Sequence, residues 1–126
     1  MVSPFTCGLE AVLFVIGGKW KPLIVFHLTQ STLRYGGLRR AVGKVSHKVL
    51  IQQLKELQSD GIIERLDHGE IPPRVDYSLT PFGQSLADAL FQLCTWGSAH
   101  ADRLSDIVAR REKVASHETS TAAGPG

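Results

Sequence analysis

Between Ala11 and Lys55 the chain contains no aspartate and no glutamate. The same stretch carries Lys19, Lys21, Arg34, Arg39, Arg40, Lys44, Lys48 and Lys55, so a net charge of only +2 hides a one-sided distribution, with the acids almost entirely downstream. An extended field of one sign favours a polyanion, nucleic acid first and an anionic membrane surface second. The plainer reading is a solvated basic surface.

Other scarcities narrow the classes. Cysteine occurs twice, at Cys7 and Cys94, which fits no zinc spacing and is too few for a secreted disulfide scaffold. The apolar run "AVLFVIGG" is short, has no basic residues before it and is followed at once by "KWKP". It predicts neither a signal peptide nor a membrane span, and therefore a cytoplasmic protein with no membrane partner. The histidines His27, His47, His68, His100 and His117 are scattered without metal-ligand spacing, and there are no paired carboxylates, no Gly-rich phosphate loop and no nucleophile elbow. The expectation is a non-enzyme with no catalytic residues, no metal and no cofactor.

What is present reads as one domain. At 126 residues with 43% apolar composition, the chain suffices for a single hydrophobic core. The expected domain spans residues 1–115; residues 116–126, "SHETSTAAGPG", lack packing side chains and are expected to form a disordered tail.

Helical spacing of Leu9, Val12, Leu13 and Ile16 predicts a first helix from about Cys7, stopped by Gly17 and Gly18. A second runs from Lys19 to about Gln30, with Pro22 tolerated in its first turn. After a stub of strand in "LRY", Gly36 and Gly37 open a short third helix. "GKVS" connects it to a fourth, from Ser46 to about Asp60, with Leu50, Leu54 and Leu57 as its buried row and Gly61 as its left-handed close. Two helices joined by a short glycine-containing connection, the second amphipathic and basic at its start, form the helix-turn-helix pattern.

The period then becomes alternating. "IIERL" and "RVDYSL" predict a hairpin closed by "DHGEIPP", with Val75, Tyr77 and Leu79 on one face and Asp76 and Ser78 on the other. A hairpin directly after such a pair is a wing. Thr80 and Pro81 then cap and start a long helix carrying Phe82, Leu86, Leu90, Leu93 and Trp96 on one face, with a bend expected at Gly97 before it continues to "ARREK". Its surplus apolar stripe, with the first helix, predicts burial against a second copy. The fold class is α+β, mostly α: a winged helix-turn-helix with N- and C-terminal dimerisation helices.

The fourth helix places cations at its own positive end, an unfavourable arrangement unless an anion lies outside it. With Ser46 as cap, it presents His47, Lys48, Ile51, Gln52 and Lys55 opposite its leucines. Gln suits adenine, Lys suits guanine or phosphate, His suits either, and Ile can touch a thymine methyl. Arg39, Arg40 and Lys44 are expected to hold phosphates, with Lys19 and Lys21 in support. In the wing, His68 and Arg74 are candidate DNA contacts, against Asp67 and Glu70, which would repel phosphate; a purely structural hairpin stays open. Cys7 is compatible with an inert small hydrophobe or with a thiolate stabilised at a helix N-terminus. Cys94 reads as packing. A protein-interaction module without DNA readout is the rival function.

Four segments in order, "GGKWKPLIVFHL", "LRYGGLRRAVGKVSHKVLIQQLKELQSDGIIER", "PPRVDYSLTPFGQSL" and "LCTWG", resemble the HxlR-type family of bacterial winged-helix transcriptional regulators, relatives of the MarR group. The resemblance covers roughly Cys7 to His100. It implies a homodimer on double-stranded operator DNA, with the helix from Ser46 in the major groove and the first and last helices at the dimer interface. It also implies an inducer, an electrophile, oxidant or other small molecule, with Cys7 as the redox-sensing residue. Here Gly8 follows that cysteine where the family has proline, and no second cysteine clearly resolves it.

Overall fold

The computed structural model of the chain describes residues 7–122, with side chains through residue 116. Its elements are α1 (Gly8–Ile16), α2 (Trp20–Leu28), β1 (Leu33–Arg34), α3 (Tyr35–Val42), α4 (His47–Ser59), β2 (Ile63–Asp67), β3 (Val75–Leu79), α5 (Pro81–Ala99) and α6 (Ala101–Ala122). Composition suggests one domain, whereas the chain groups into two compact units that divide between Phe91 and Gln92.

The first unit holds the core. Ile24, Val25 and Leu28 of α2, Leu38 and Val42 of α3, and Leu50, Leu54 and Leu57 of α4 are buried together with Ile62, Ile63 and Tyr77 from the hairpin. The three leucines of α4 recur at helical spacing, so one stripe is inside and the opposite stripe is left to solvent. α2 ends earlier than the sequence suggests, at Leu28, where the Thr29 hydroxyl donates to the Phe26 carbonyl at 2.7 Å and competes with helix continuation.

The turn between α3 and α4 depends on Gly43, whose φ of +99° is a conformation that side chains with a Cβ rarely adopt. Ser46 then caps α4 as expected, its Oγ accepting from the Val49 N–H at 3.1 Å. Gly61 (φ +74°) follows its end.

The sheet has strand order β1-β3-β2, all antiparallel. β2 and β3 are the predicted hairpin, in register Ile63↔Leu79 through Asp67↔Val75. The strand stub predicted in "LRY" pairs with the far edge of β3, Leu33 opposite Tyr77 and Arg34 opposite Asp76. This ties the start of α3 to the wing. Thr80 caps α5, its Oγ accepting from the Gly83 N–H at 3.0 Å while donating to the Gly61 carbonyl at 2.6 Å.

In the second unit the expected bend at Gly97 lies elsewhere. α5 continues through Gly97 to Ala99 and the break falls at His100, whose N–H is shared between the carbonyls of Trp96 and Gly97, both at 3.2 Å. The His100 ring stacks on Trp96, and its Nδ1 lies 2.9 Å from the Trp96 carbonyl oxygen, so it competes locally for the backbone. α6 is helical to Ala122 where the sequence suggests a tail from residue 116; no proline or glycine lies between Ala101 and Ala122 to stop it. Residues 123–126 of that expected tail lie outside the described residues. Among the described residues no single helix is long and apolar enough to cross a membrane.

Candidate nucleic-acid interface

α3, the Gly43 turn and α4 gather the cations of the acid-free stretch. Arg39 and Arg40 lie in the last turn of α3, where the negative end of that helix also favours them. Lys44 follows in the turn. On α4, His47, Lys48, Gln52 and Lys55 are exposed, and Ile51 is half-buried at the edge of the same face. The first turn of α4 contains no acid. Among the described residues none of Arg39, Arg40, Lys44, Lys48 and Lys55 is in an ion pair with a carboxylate. Arg39 is steadied differently, by donating from Nε to the Val45 carbonyl at 3.4 Å.

The cations expected to assist from α2 are otherwise engaged. Lys21 bonds to Glu56 of α4 at 2.5 Å, with only 13% of its side chain exposed, so it clamps α2 to α4 instead of reaching outward. The Lys21 ammonium, by hydrogen bond and charge, holds the Glu56 carboxyl below its ordinary range. Lys19 lies over the Trp20 ring at 4.8 Å.

The wing departs furthest from expectation. Asp76, which alternation places on the face opposite Val75, Tyr77 and Leu79, is 8% exposed. His68 Nε2 lies 2.7 Å from Asp76 Oδ2, and the Arg74 guanidinium donates to the same oxygen at 3.2 Å. Arg74 also approaches Glu70 at 3.9 Å. The two wing residues nominated for DNA therefore face carboxylates within the protein, because the loop folds back over Asp76 and shields it. The hydrogen bond from His68, and secondarily the charge of Arg74, hold the Asp76 carboxyl below its usual value against the opposing effect of burial. The loop tip instead presents Ile71, which is 99% exposed.

Two residues that sequence reasoning passes over matter here. Asp76 organises the wing, and Tyr35, the first residue of α3, reaches across to α4: its hydroxyl lies 2.5 Å from Nδ1 of His47. Neither contact leaves a periodic trace in the sequence.

Cys7 is exposed at the residue preceding α1, where its side chain makes no capping hydrogen bond. Cys94, read as packing, is also exposed, because the side of α5 that carries it is not covered by the described residues. His27 is half-buried edge-on to Phe26. No cluster of His, Cys, Asp or Glu that could hold a metal occurs among the described residues.

The sequence model of the HxlR-like helix-turn-helix family matches residues 15–105. The chain belongs to this family. Among its HxlR-like relatives, the uncharacterized HTH-type transcriptional regulator YtcD of Bacillus subtilis is 43% identical over 100 residues, covering 79% of each chain. The crystallised redox regulator HypR, in its reduced form, superposes with a TM-score of 0.74 at 37% identity, covering 79% of this chain and 99% of HypR. Diamide-treated YodB from B. subtilis gives a TM-score of 0.63 at 28% identity, over 79% of this chain and 95% of YodB. The HxlR-like chain is thus a winged helix-turn-helix transcriptional regulator, with α3 and α4 as the helix-turn-helix and β2 and β3 as the wing.

Proposed function

We propose that the protein is a homodimeric repressor that inserts α4 of each subunit into the major groove of a near-palindromic operator. The observation that carries this reading is the exposed face of α4 with the adjoining turn, where Lys44, Lys48 and Lys55 project without a carboxylate partner among the described residues and Gln52 is exposed beside them. In this reading Arg39, Arg40 and Lys44 hold phosphates, Ser46 fixes the start of the helix, and His47, Lys48, Ile51 and Gln52 meet base edges. Dimerisation through α1 and the C-terminal helices is supported by exposed Leu9 and Leu13 on α1 and by exposed Leu93, Trp96 and Val108 on α5 and α6. Two-fold symmetry then sets half-sites about 34 to 36 Å apart. The protein acts in the cytoplasm, where DNA is accessible.

The deciding experiment titrates the protein, by fluorescence anisotropy, against duplex DNA from upstream of its own gene, random duplex and single strand at several salt concentrations. The upstream duplex is expected to bind tightest, and six phosphate contacts per dimer would give a log K against log salt slope of about −5. Salt-insensitive binding, or no preference for duplex, overturns the reading in favour of a protein-interaction module.

Regulation through Cys7 is supported by its exposure at the start of α1 and by relatives described as redox regulators or crystallised after diamide treatment. Modification there would change how the subunits meet and so the spacing of the two α4 helices. Diamide or a quinone is expected to weaken operator binding by the wild type and not by Cys7→Ser; unchanged wild-type binding would redirect the search to a small ligand.

A further inference from the structure

The first residue of α3 and the first residue of α4 touch at the point where the reading face begins. Tyr35 is half-buried, its ring packed against the core, while His47 is exposed. Their rings meet edge-on, with centroids 5.2 Å apart and an interplanar angle of 76°, and the Tyr35 hydroxyl lies 2.5 Å from His47 Nδ1. The contact takes one ring nitrogen out of play. Only Nε2 remains to meet a partner outside the protein.

Which nitrogen carries the proton then decides what His47 can read. In a neutral imidazole one nitrogen donates and the other accepts, whereas a phenolic hydroxyl can do both. Donation from the Tyr35 hydroxyl to Nδ1 gives the phenolic proton a partner within the protein. Nε2 must then carry the imidazole proton and face outward as a donor. The reverse arrangement would leave the phenolic proton to solvent and present a bare acceptor.

Resting on the proposed placement of α4 in the major groove, we infer that Tyr35 is a positioning residue for sequence readout: its hydroxyl holds His47 as the Nε2–H tautomer, an outward donor that takes a base with a major-groove acceptor and refuses cytosine. The acceptors that a single outward N–H can meet in the major groove are N7 of either purine, O6 of guanine and O4 of thymine. The exocyclic amines of cytosine and adenine are donors and would be refused. Tyr35 touches no DNA in this arrangement; it acts through His47.

The test has two arms. In the first, nitrogen-15 NMR of the free full-length protein at a pH where imidazole is neutral is expected to show His47 with Nε2 protonated and Nδ1 as acceptor, and Tyr35→Phe, which keeps the ring and removes only the hydroxyl, should release that lock. In the second, selection from random duplexes is expected to exclude cytosine at one position per half-site with the wild type. Tyr35→Phe and His47→Ala should each lose that preference by about 3- to 10-fold, the scale of one hydrogen bond, and Tyr35→Phe should do so with random-duplex affinity and salt slope unchanged. A wild-type His47 protonated at Nδ1 overturns the inference, as does a Tyr35→Phe variant selecting the same bases as wild type. If no duplex binds in any form, the proposed function falls and the readout role with it, whereas a locked tautomer with unaltered base selection removes the inference alone.

Discussion

α4 and the wing each carry two permanent cations and a histidine, yet they dispose of that charge in opposite ways. On α4 the buried stripe is wholly aliphatic and the first turn holds no carboxylate, so among the described residues Lys48 and Lys55 are in no ion pair with a carboxylate. In the wing, His68 and Arg74 converge on one shielded carboxylate, and Glu70 lies within reach of the same guanidinium. A cation count would score the two regions alike. Pairing separates them: charge that is already neutralised within the protein releases few counterions from DNA.

The sharpest contrast is in folding. Leu54→Ala, at a site 2% exposed on α4, is expected to cost about 2–5 kcal/mol, whereas Leu66→Ala on β2, at 56% exposure, should stay within about 0.5 kcal/mol; urea unfolding of the two variants measures both. Next come the base contacts: Lys48→Ala or Gln52→Ala should lower discrimination between operator and random duplex by about 1–3 kcal/mol. Arg39→Ala should instead weaken all duplexes equally and reduce the magnitude of the salt slope by about 1. Identical behaviour of the two classes in competition titrations would erase the division between reading and holding.

A smaller effect is expected in the wing, where Arg74→Ala should leave the salt slope nearly unchanged. A slope reduced as much as by Arg39→Ala would mean that Arg74 exchanges Asp76 for phosphate on binding, and the comparison would break. The subtlest effect concerns acid. Because the folded-state pKa of Asp76 is depressed, first by the His68 hydrogen bond, its stabilising contribution is present above the unfolded carboxyl value of about 4 and disappears as pH falls through the lower folded value. The difference in urea midpoint between wild type and Asp76→Asn should therefore shrink between about pH 5 and pH 3; a constant difference would assign Asp76 a role independent of its charge.

The helix-turn-helix was legible because each of its parts has a local signature. Leu50, Leu54 and Leu57 keep a helical period, Ser46 is a cap by its side-chain chemistry, and Gly43 and Gly61 mark the positions where φ turns positive. The hairpin was legible from its period of two. That same period could not show that Asp76 is shielded, because alternation predicts which face a residue points to and not what covers that face. Tyr35 with His47 and Lys21 with Glu56 were invisible for a related reason: each joins two helices, and the pairing depends on how those helices cross. The break at His100 was missed because a glycine is tolerated within a helix, while the ring of His100 on Trp96 competes for the backbone just beyond it.

Gly83 has a mechanical meaning. A Cβ at that position would fall 1.9 Å from the Ile62 carbonyl oxygen, so the first turn of α5 rests directly on the backbone at the root of the wing. Ile62 is in turn tethered to α4, its N–H donating to the Leu57 carbonyl at 3.0 Å. No slack exists between these three pieces: tilting the start of α5 presses on the strand root and drags the end of α4 with it, and even a single methyl group inserted at the fulcrum would pry the assembly open.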